Sequence, residues 1–292
     1  MHRPRKRLGQ HFLNDRRILA RIVDVLDPQP NETVIEIGPG EGSLTALLRP
    51  RATRLVTVEL DRDLASALRD RYDEDAHVQV IEGDALDITL ADLRGDDGWC
   101  ITGNVPYYIT TPLLFHALAA PRPRCIVFLV QREVGDRLAA APGTEAYGAL
   151  SVTAQAVAEV SRHGRVPAGA FQPPPAVDSV IVRLTPLSTP LVSASEEAPF
   201  KTLVQGAFSQ RRKQMIRVLR GLYDLDAERA AQLLASCDIE PHARPEVLSP
   251  KTFVELLRVA QNAGLALNTP NARRSRHPRQ APHPTRDSTE RS

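Results

Sequence analysis

Up to about residue 185 the chain alternates short apolar runs with stretches in which apolar residues recur every three or four positions. Residues 33–37 (Thr-Val-Ile-Glu-Ile), 55–59, 78–81, 99–102, 125–130 and 179–184 read as strands, and 42–48, 63–71 and 112–119 as helices. The run 125–130 is unusually apolar, which predicts a central strand buried on both faces. Such alternation predicts an α/β fold, a doubly wound and mostly parallel sheet covered by helices on both faces. From about Pro190 the spacing is helical only, over 200–222, 227–236 and 250–263, with Ser249-Pro250 as a helix start. The expected organisation is an α/β domain over 1–186, a small all-α domain over 190–264, and a disordered basic tail over 265–292, which is poor in apolar residues.

Composition narrows the function classes. A chain of 292 residues, 42% hydrophobic and 25% charged, has the make-up of a soluble globular protein. No stretch approaches the roughly 18 apolar residues of a membrane span. The basic N-terminus lacks the apolar centre of a signal peptide, so a cytoplasmic protein without membrane contact is expected. Cys100, Cys125 and Cys237 are far apart and form no Cys-x-x-Cys pair, and the eight histidines show no ligand spacing; buried thiols and no metal site are expected. Net charge is only +2, but the basic residues are clustered. Residues 1–21 carry seven Arg or Lys against Asp15 alone; residues 209–220 carry Arg211, Arg212, Lys213, Arg217 and Arg220 with no acid; residues 265–292 carry six Arg against two acids. Local clusters on a nearly neutral protein point to contact with a polyanion.

The candidate chemistry lies at the ends of the predicted strands. Glu36-Ile37-Gly38-Pro39-Gly40-Glu41-Gly42 joins the first strand to its helix, and Gly38 and Gly40 let the backbone turn sharply beside a ligand. The spacing lacks the last step of the dinucleotide fingerprint, and two carboxylates stand where a pyrophosphate would go; a cationic, phosphate-free nucleoside is the better match. Glu59 ends the second strand, where a carboxylate can accept both hydroxyls of a ribose. Asp84, after the third strand, can accept from an adenine amino group. Asn104-Val105-Pro106-Tyr107 follows the fourth strand and offers an amide, a rigid turn and an aromatic face, a set suited to holding an amino-bearing ring. Phe171, before the triple proline 173–175, reads as a second stacking face or as a core anchor, and Tyr108 as packing.

This constellation resembles the Rossmann-like S-adenosylmethionine-dependent methyltransferases, and Asn-Val-Pro-Tyr resembles the version that methylates exocyclic amino nitrogens. Gly9-Gln10-His11-Phe12-Leu13, Glu36-Ile37-Gly38-Pro39-Gly40, Asn104-Val105-Pro106-Tyr107, Ala146-Tyr147-Gly148, the segment Phe171 to Ser179 and Phe208-Ser209-Gln210-Arg211-Arg212-Lys213 together resemble the ribosomal RNA adenine dimethyltransferases of the KsgA/RsmA type, over roughly residues 5–260. The resemblance implies a seven-stranded sheet and dimethylation, by S-adenosylmethionine, of N6 on two adjacent adenosines in the 3′-terminal hairpin of 16S rRNA. It implies a role in small-subunit biogenesis for an enzyme acting as a monomer. It assigns cofactor contacts to His11, Leu13, Gly38, Gly40, Glu59, Asp84 and Asn104. Asn104, Val105, Pro106, Tyr107 and Phe171 fall on the target base, and Arg211, Arg212 and Lys213 on RNA phosphates. His11 stands where related enzymes often carry Asn, and Val105 where they carry Leu or Ile. A large-subunit rRNA methyltransferase of the antibiotic-resistance type, and a ribosome-binding factor without catalysis, remain alternatives at this point.

Overall fold

The computed structural model describes residues 9–268; the basic N-terminal residues 1–8 and the tail 269–292 lie outside the described residues. Seven strands form the main sheet: β2 (Thr33–Ile37), β3 (Arg54–Glu59), β4 (Val78–Glu82), β5 (Trp99–Gly103), β6 (Ile126–Gln131), β7 (Ala158–Val166) and β9 (Ser179–Pro186). Their spatial order is β4-β3-β2-β5-β6-β9-β7, with β4, β3, β2, β5 and β6 parallel and β9 antiparallel to both its neighbours. A separate two-stranded ribbon pairs β1 (Phe12–Leu13) with β8 (Phe171–Gln172).

β2, β5 and most of β6 are buried on both faces, which is why they read as unbroken apolar runs, whereas the edge strand β4 keeps exposed polar positions at Gln79 and Glu82. Along β2, Val34 faces one apolar layer while Ile35 and Ile37 face the other. The Val34 layer is closed by α1 (Arg16–Leu26) and α2 (Ser43–Leu48); α3 (Arg62–Arg71), α4 (Thr110–Ala117), α5 (Arg132–Leu138) and α6 (Ala149–Gln155) follow along the chain. Helix α1 was not anticipated from the pattern, although Leu19, Ile22, Val23 and Leu26 form a helical stripe; Asp15 caps it by accepting from the Arg17 and Ile18 backbone N–H groups.

The opposite layer runs without interruption into the C-terminal helices α7 (Glu197–Phe208), α8 (Met215–Tyr223), α9 (Ala227–Ala235) and α10 (Pro250–Asn262). The predicted helix 200–222 is two helices, broken at 209–214. The Met215 N–H leaves the helical ladder and donates to the Ala243 carbonyl at 2.7 Å, a tertiary bond that periodicity cannot reveal. Residues 265–268, expected to open the tail, instead close the helical layer: Leu265 and Leu267 pack on its core and the Asn268 N–H donates to the Leu222 carbonyl. The three cysteines are buried free thiols. Among the described residues no helix is long and apolar enough to cross a membrane.

The chain runs from β2 outward through β3 and β4, then returns to place β5 on the other side of β2. That reversal opens a crevice beyond the carboxyl ends of β2 and β5. Gly103 closes the crevice floor tightly: a Cβ there would lie 2.4 Å from the Ile37 carbonyl oxygen, so only glycine lets β5 bring Asn104 against the loop that follows β2.

Candidate active site

The cavity at the switch point is lined by all seven residues expected to contact the cofactor: His11, Leu13, Gly38, Gly40, Glu59, Asp84 and Asn104. Gly38 and Gly40 adopt the left-handed conformation, with φ of 68° and 58°. A Cβ on Gly40 would meet the Phe12 ring at 2.9 Å, so the glycine makes room for the N-terminal segment to lie over the loop. That segment is fastened across the cavity. β1 pairs with β8, the Asn14 N–H donates to the Ala170 carbonyl, His11 Nδ1 lies 2.8 Å from the Pro173 carbonyl, and Gln10 donates to Asp61.

Glu59 is buried at the end of β3 and each of its oxygens accepts one backbone N–H, from Gly40 at 3.0 Å and from Asp61 at 2.8 Å. These bonds fix the carboxylate plane and leave each oxygen further acceptor capacity. Burial raises its pKa, with the backbone donors working in the opposite direction. Asp84 is half-buried; one of its oxygens accepts from the Leu86 N–H in a turn, and the other carries no hydrogen bond from the described residues. The residue set fits a nucleoside-bearing cation: glycine backbone, a carboxylate able to accept from a diol and one able to accept from an amino group.

Glu36 is buried at 1% exposure, and its carboxyl accepts from Thr45 Oγ1 at 2.7 Å. Burial, helped by the nearby Glu59 charge and opposed by Thr45, pushes its pKa up to about 8. A carboxyl raised from the ordinary 4.5 stabilises the fold fully below that value and ceases to do so as pH climbs to about 8. The melting temperature of the ligand-free protein is therefore expected to fall by roughly 5–10 °C across that window. Glu36→Gln, which keeps the acceptor for Thr45, should flatten the profile. Glu196, held at about 2 by Arg258, titrates below this range, whereas His163 is lowered and opposes the trend. The difference between the two proteins isolates Glu36, and parallel profiles would refute the assignment.

Asn104 is half-buried and its Nδ2 donates to the His11 backbone carbonyl at 2.7 Å. That bond fixes the amide orientation and commits Oδ1 to the remaining acceptor role. Val105 is buried as a whole residue but lines the cavity, and its carbonyl accepts no hydrogen bond among the described residues. Pro106 begins the turn into α4 (Thr110–Ala117); its carbonyl accepts from the Ile109 N–H and from Thr110 Oγ1. The Tyr107 hydroxyl lies 2.6 Å from Ser179 Oγ, and its ring stacks on His11 with centroids 5.9 Å apart. Burial raises the Tyr107 pKa, so the hydroxyl stays neutral at ordinary pH. Ser179 was not anticipated as a partner, because its hydroxyl reaches Tyr107 only through the pairing of β9 with β6.

One expectation is corrected. Phe171 does not face the cavity: it is 3% exposed, pairs with Leu13 in the small ribbon and packs with Leu13 and Leu19 in the α1 layer. It anchors the N-terminal segment and offers no face to a base. Arg211, Arg212 and Lys213 are all exposed on the 209–214 loop, and Arg211 also donates to the Glu246 carboxylate at 3.0 Å and to the Glu145 carbonyl at 2.7 Å. These two bonds fasten the 209–214 loop. Conversely Tyr108, expected to be packing, is exposed at the cavity mouth.

A family model described as ribosomal RNA adenine dimethylase matches residues 1–261. A ribosomal RNA small subunit methyltransferase A from Geobacter metallireducens is 44% identical over 268 residues, covering 90% of this chain and 97% of that protein. One from Acinetobacter baylyi is 41% identical, covering 87% and 92%. Among solved structures, a dimethyladenosine transferase from Plasmodium falciparum superposes with a TM-score of 0.77 at 26% identity, over 87% of this chain and 99% of that one. The 23S rRNA methyltransferase ErmE gives 0.66 at 26%, over 86% and 99%.

Proposed function

The chain belongs to the ribosomal RNA adenine dimethylase family, and we propose that it dimethylates N6 of two adjacent adenosines in the 3′-terminal hairpin of 16S rRNA, within the small subunit or its precursor. It is an S-adenosylmethionine-dependent methyltransferase. The cofactor supplies an electrophilic methyl group on sulfur. On this reading Glu59 takes its ribose hydroxyls, Asp84 its adenine amino group, and the Gly38–Gly40 backbone lies along it, with His11 and Leu13 closing the cleft from the N-terminal side.

The observation that carries the reading is the pinned amide of Asn104 at the end of β5. The lone pair of an adenine amino nitrogen is delocalised into the ring, which makes it a poor nucleophile. Two acceptors on its hydrogens, Asn104 Oδ1 and the Val105 carbonyl, favour a pyramidal nitrogen with a localised lone pair. Pro106 makes the turn rigid, and Tyr107, braced by Ser179 and His11, gives the base a flat face; such stacking contributes ~1–3 kcal/mol per base. The methylated nitrogen is acidic and sheds its proton to water, so no dedicated base is required. Holding the nitrogen in line supplies much of the rate.

The names of the relatives favour the small subunit over 23S rRNA. We assign the helical region an RNA-binding role, with Arg211, Arg212 and Lys213 as phosphate contacts that position the RNA without reading its sequence. On this proposal the enzyme acts as a monomer on ribosomal particles in the cytoplasm. Tritiated S-adenosylmethionine, incubated with unmethylated small subunits, is expected to label adenine N6 at two neighbouring positions. Label on large-subunit RNA instead would overturn the substrate, and no label from protein that binds the cofactor would overturn the reaction.

A further inference from the structure

Tyr107 and Tyr108 are consecutive on one short turn, yet their rings have opposite fates. Tyr107 is half-buried and hydrogen-bonded, whereas Tyr108 is 61% exposed, more than any other large apolar side chain among the described residues. Both line the same cavity. The Tyr108 ring is nonetheless held in place. It lies against Gly9, where a Cβ would sit 3.5 Å from the ring, and the turn beneath it is closed by the Ile109 N–H to Pro106 carbonyl bond. Leu60, 46% exposed, adds a second apolar element to the same rim. An aromatic face fixed at the mouth of a base-accepting cavity is a surface on which a second nucleobase can stack.

We propose that Tyr108 is the outer stacking platform for the nucleobase next to the target, so that the protein engages two consecutive adenosines, one in the cavity and one on its rim. The inference rests on the rRNA adenine dimethylase reading. Extruding one base into the cavity deprives its neighbour of a stacking partner, a loss that the enzyme must make good. A tyrosine face at the mouth replaces that partner without selecting the base, because every nucleobase presents a π-face. Where the two reacting adenosines are adjacent, the base on the rim is itself the other substrate. The platform would therefore retain the RNA between the two modifications.

Methylation of unmethylated small subunits by the wild type, Tyr108→Ala and Tyr108→Phe tests this, with methyl groups counted at each adenosine by mass spectrometry. Tyr108→Ala is expected to raise KM for the subunits roughly five- to hundredfold, the range of one lost base stack. It should also accumulate subunits dimethylated at a single adenosine, while kcat for the first adenosine and the Kd for S-adenosylmethionine stay within twofold. Tyr108→Phe, which keeps the ring, should restore wild-type behaviour. The proposal is overturned if Tyr108→Ala matches the wild type at both adenosines, or if Tyr108→Phe is equally impaired. It is also overturned if the loss lies in cofactor affinity, which would make Tyr108 a support for the Gly9 segment. A wild-type protein that leaves both adenosines untouched would instead defeat the substrate reading itself.

Discussion

Asn104→Ala is expected to lower the single-turnover rate of methyl transfer about a thousandfold, while S-adenosylmethionine and small subunits bind within a few fold of the wild type. Removing one preorganised hydrogen-bonding group from a reacting centre typically costs ~10²–10³ in rate. In the proposed mechanism the same group is the principal means of localising the nitrogen lone pair. The orientation of Oδ1 depends on the Nδ2 bond to the His11 carbonyl, so Asn104→Asp should fare little better. Its carboxylate would set an oxygen against that carbonyl and swing away from the base. The rate comes from a rapid-quench time course with labelled cofactor, and the two affinities from calorimetry and subunit sedimentation. Losses of equal size in rate and in cofactor affinity would mean that Asn104 acts chiefly by fastening the N-terminal segment, and the catalytic assignment would fail.

The parts of this site that sequence conveys are those in which local chain geometry and chemistry coincide. Gly38 and Gly40 announce a sharp turn beside a ligand, and Glu59, Asp84 and Asn104 each stand at or just past the end of a run recognisable as a strand; the topology then brings those ends to one crevice. What sequence hides depends on partners distant along the chain. β7 is invisible as a strand because its alternation is broken by an irregularity between Arg162 and Arg165, with Gly164 at φ 107° between them. Helix α1 is masked by the basic residues on its outer face. Phe171 is ambiguous in principle, since an aromatic before a proline run suits a stacking face or an anchor, and only its register opposite Leu13 decides. Arg211 shows the same limit for charge: its contact with Glu246, far along the chain, cannot be read from the basic run.

Glu59→Ala is expected to weaken S-adenosylmethionine binding by at least about a hundredfold, with kcat at saturating cofactor within several fold. Hydrogen bonds to a charged group contribute ~1.5–3 kcal/mol each, and a ribose diol makes two. The substitution also strips the Gly40 and Asp61 N–H groups of their acceptor in a buried setting, so the loop after β2 loses its brace. Glu59→Gln is no gentle control. Both carboxylate oxygens already face backbone donors, and an amide must turn its own NH₂ toward one of them, so this variant should also bind poorly. The clean separation comes from the ligand side. A cofactor analogue lacking the ribose 2′-hydroxyl should bind the wild type ~10-fold or more weakly than S-adenosylmethionine, yet bind Glu59→Ala no worse than the parent cofactor. If the wild type does not discriminate between the two ligands, Glu59 is only a structural brace for Gly40. If the discrimination survives in the variant, the diol is held by another group.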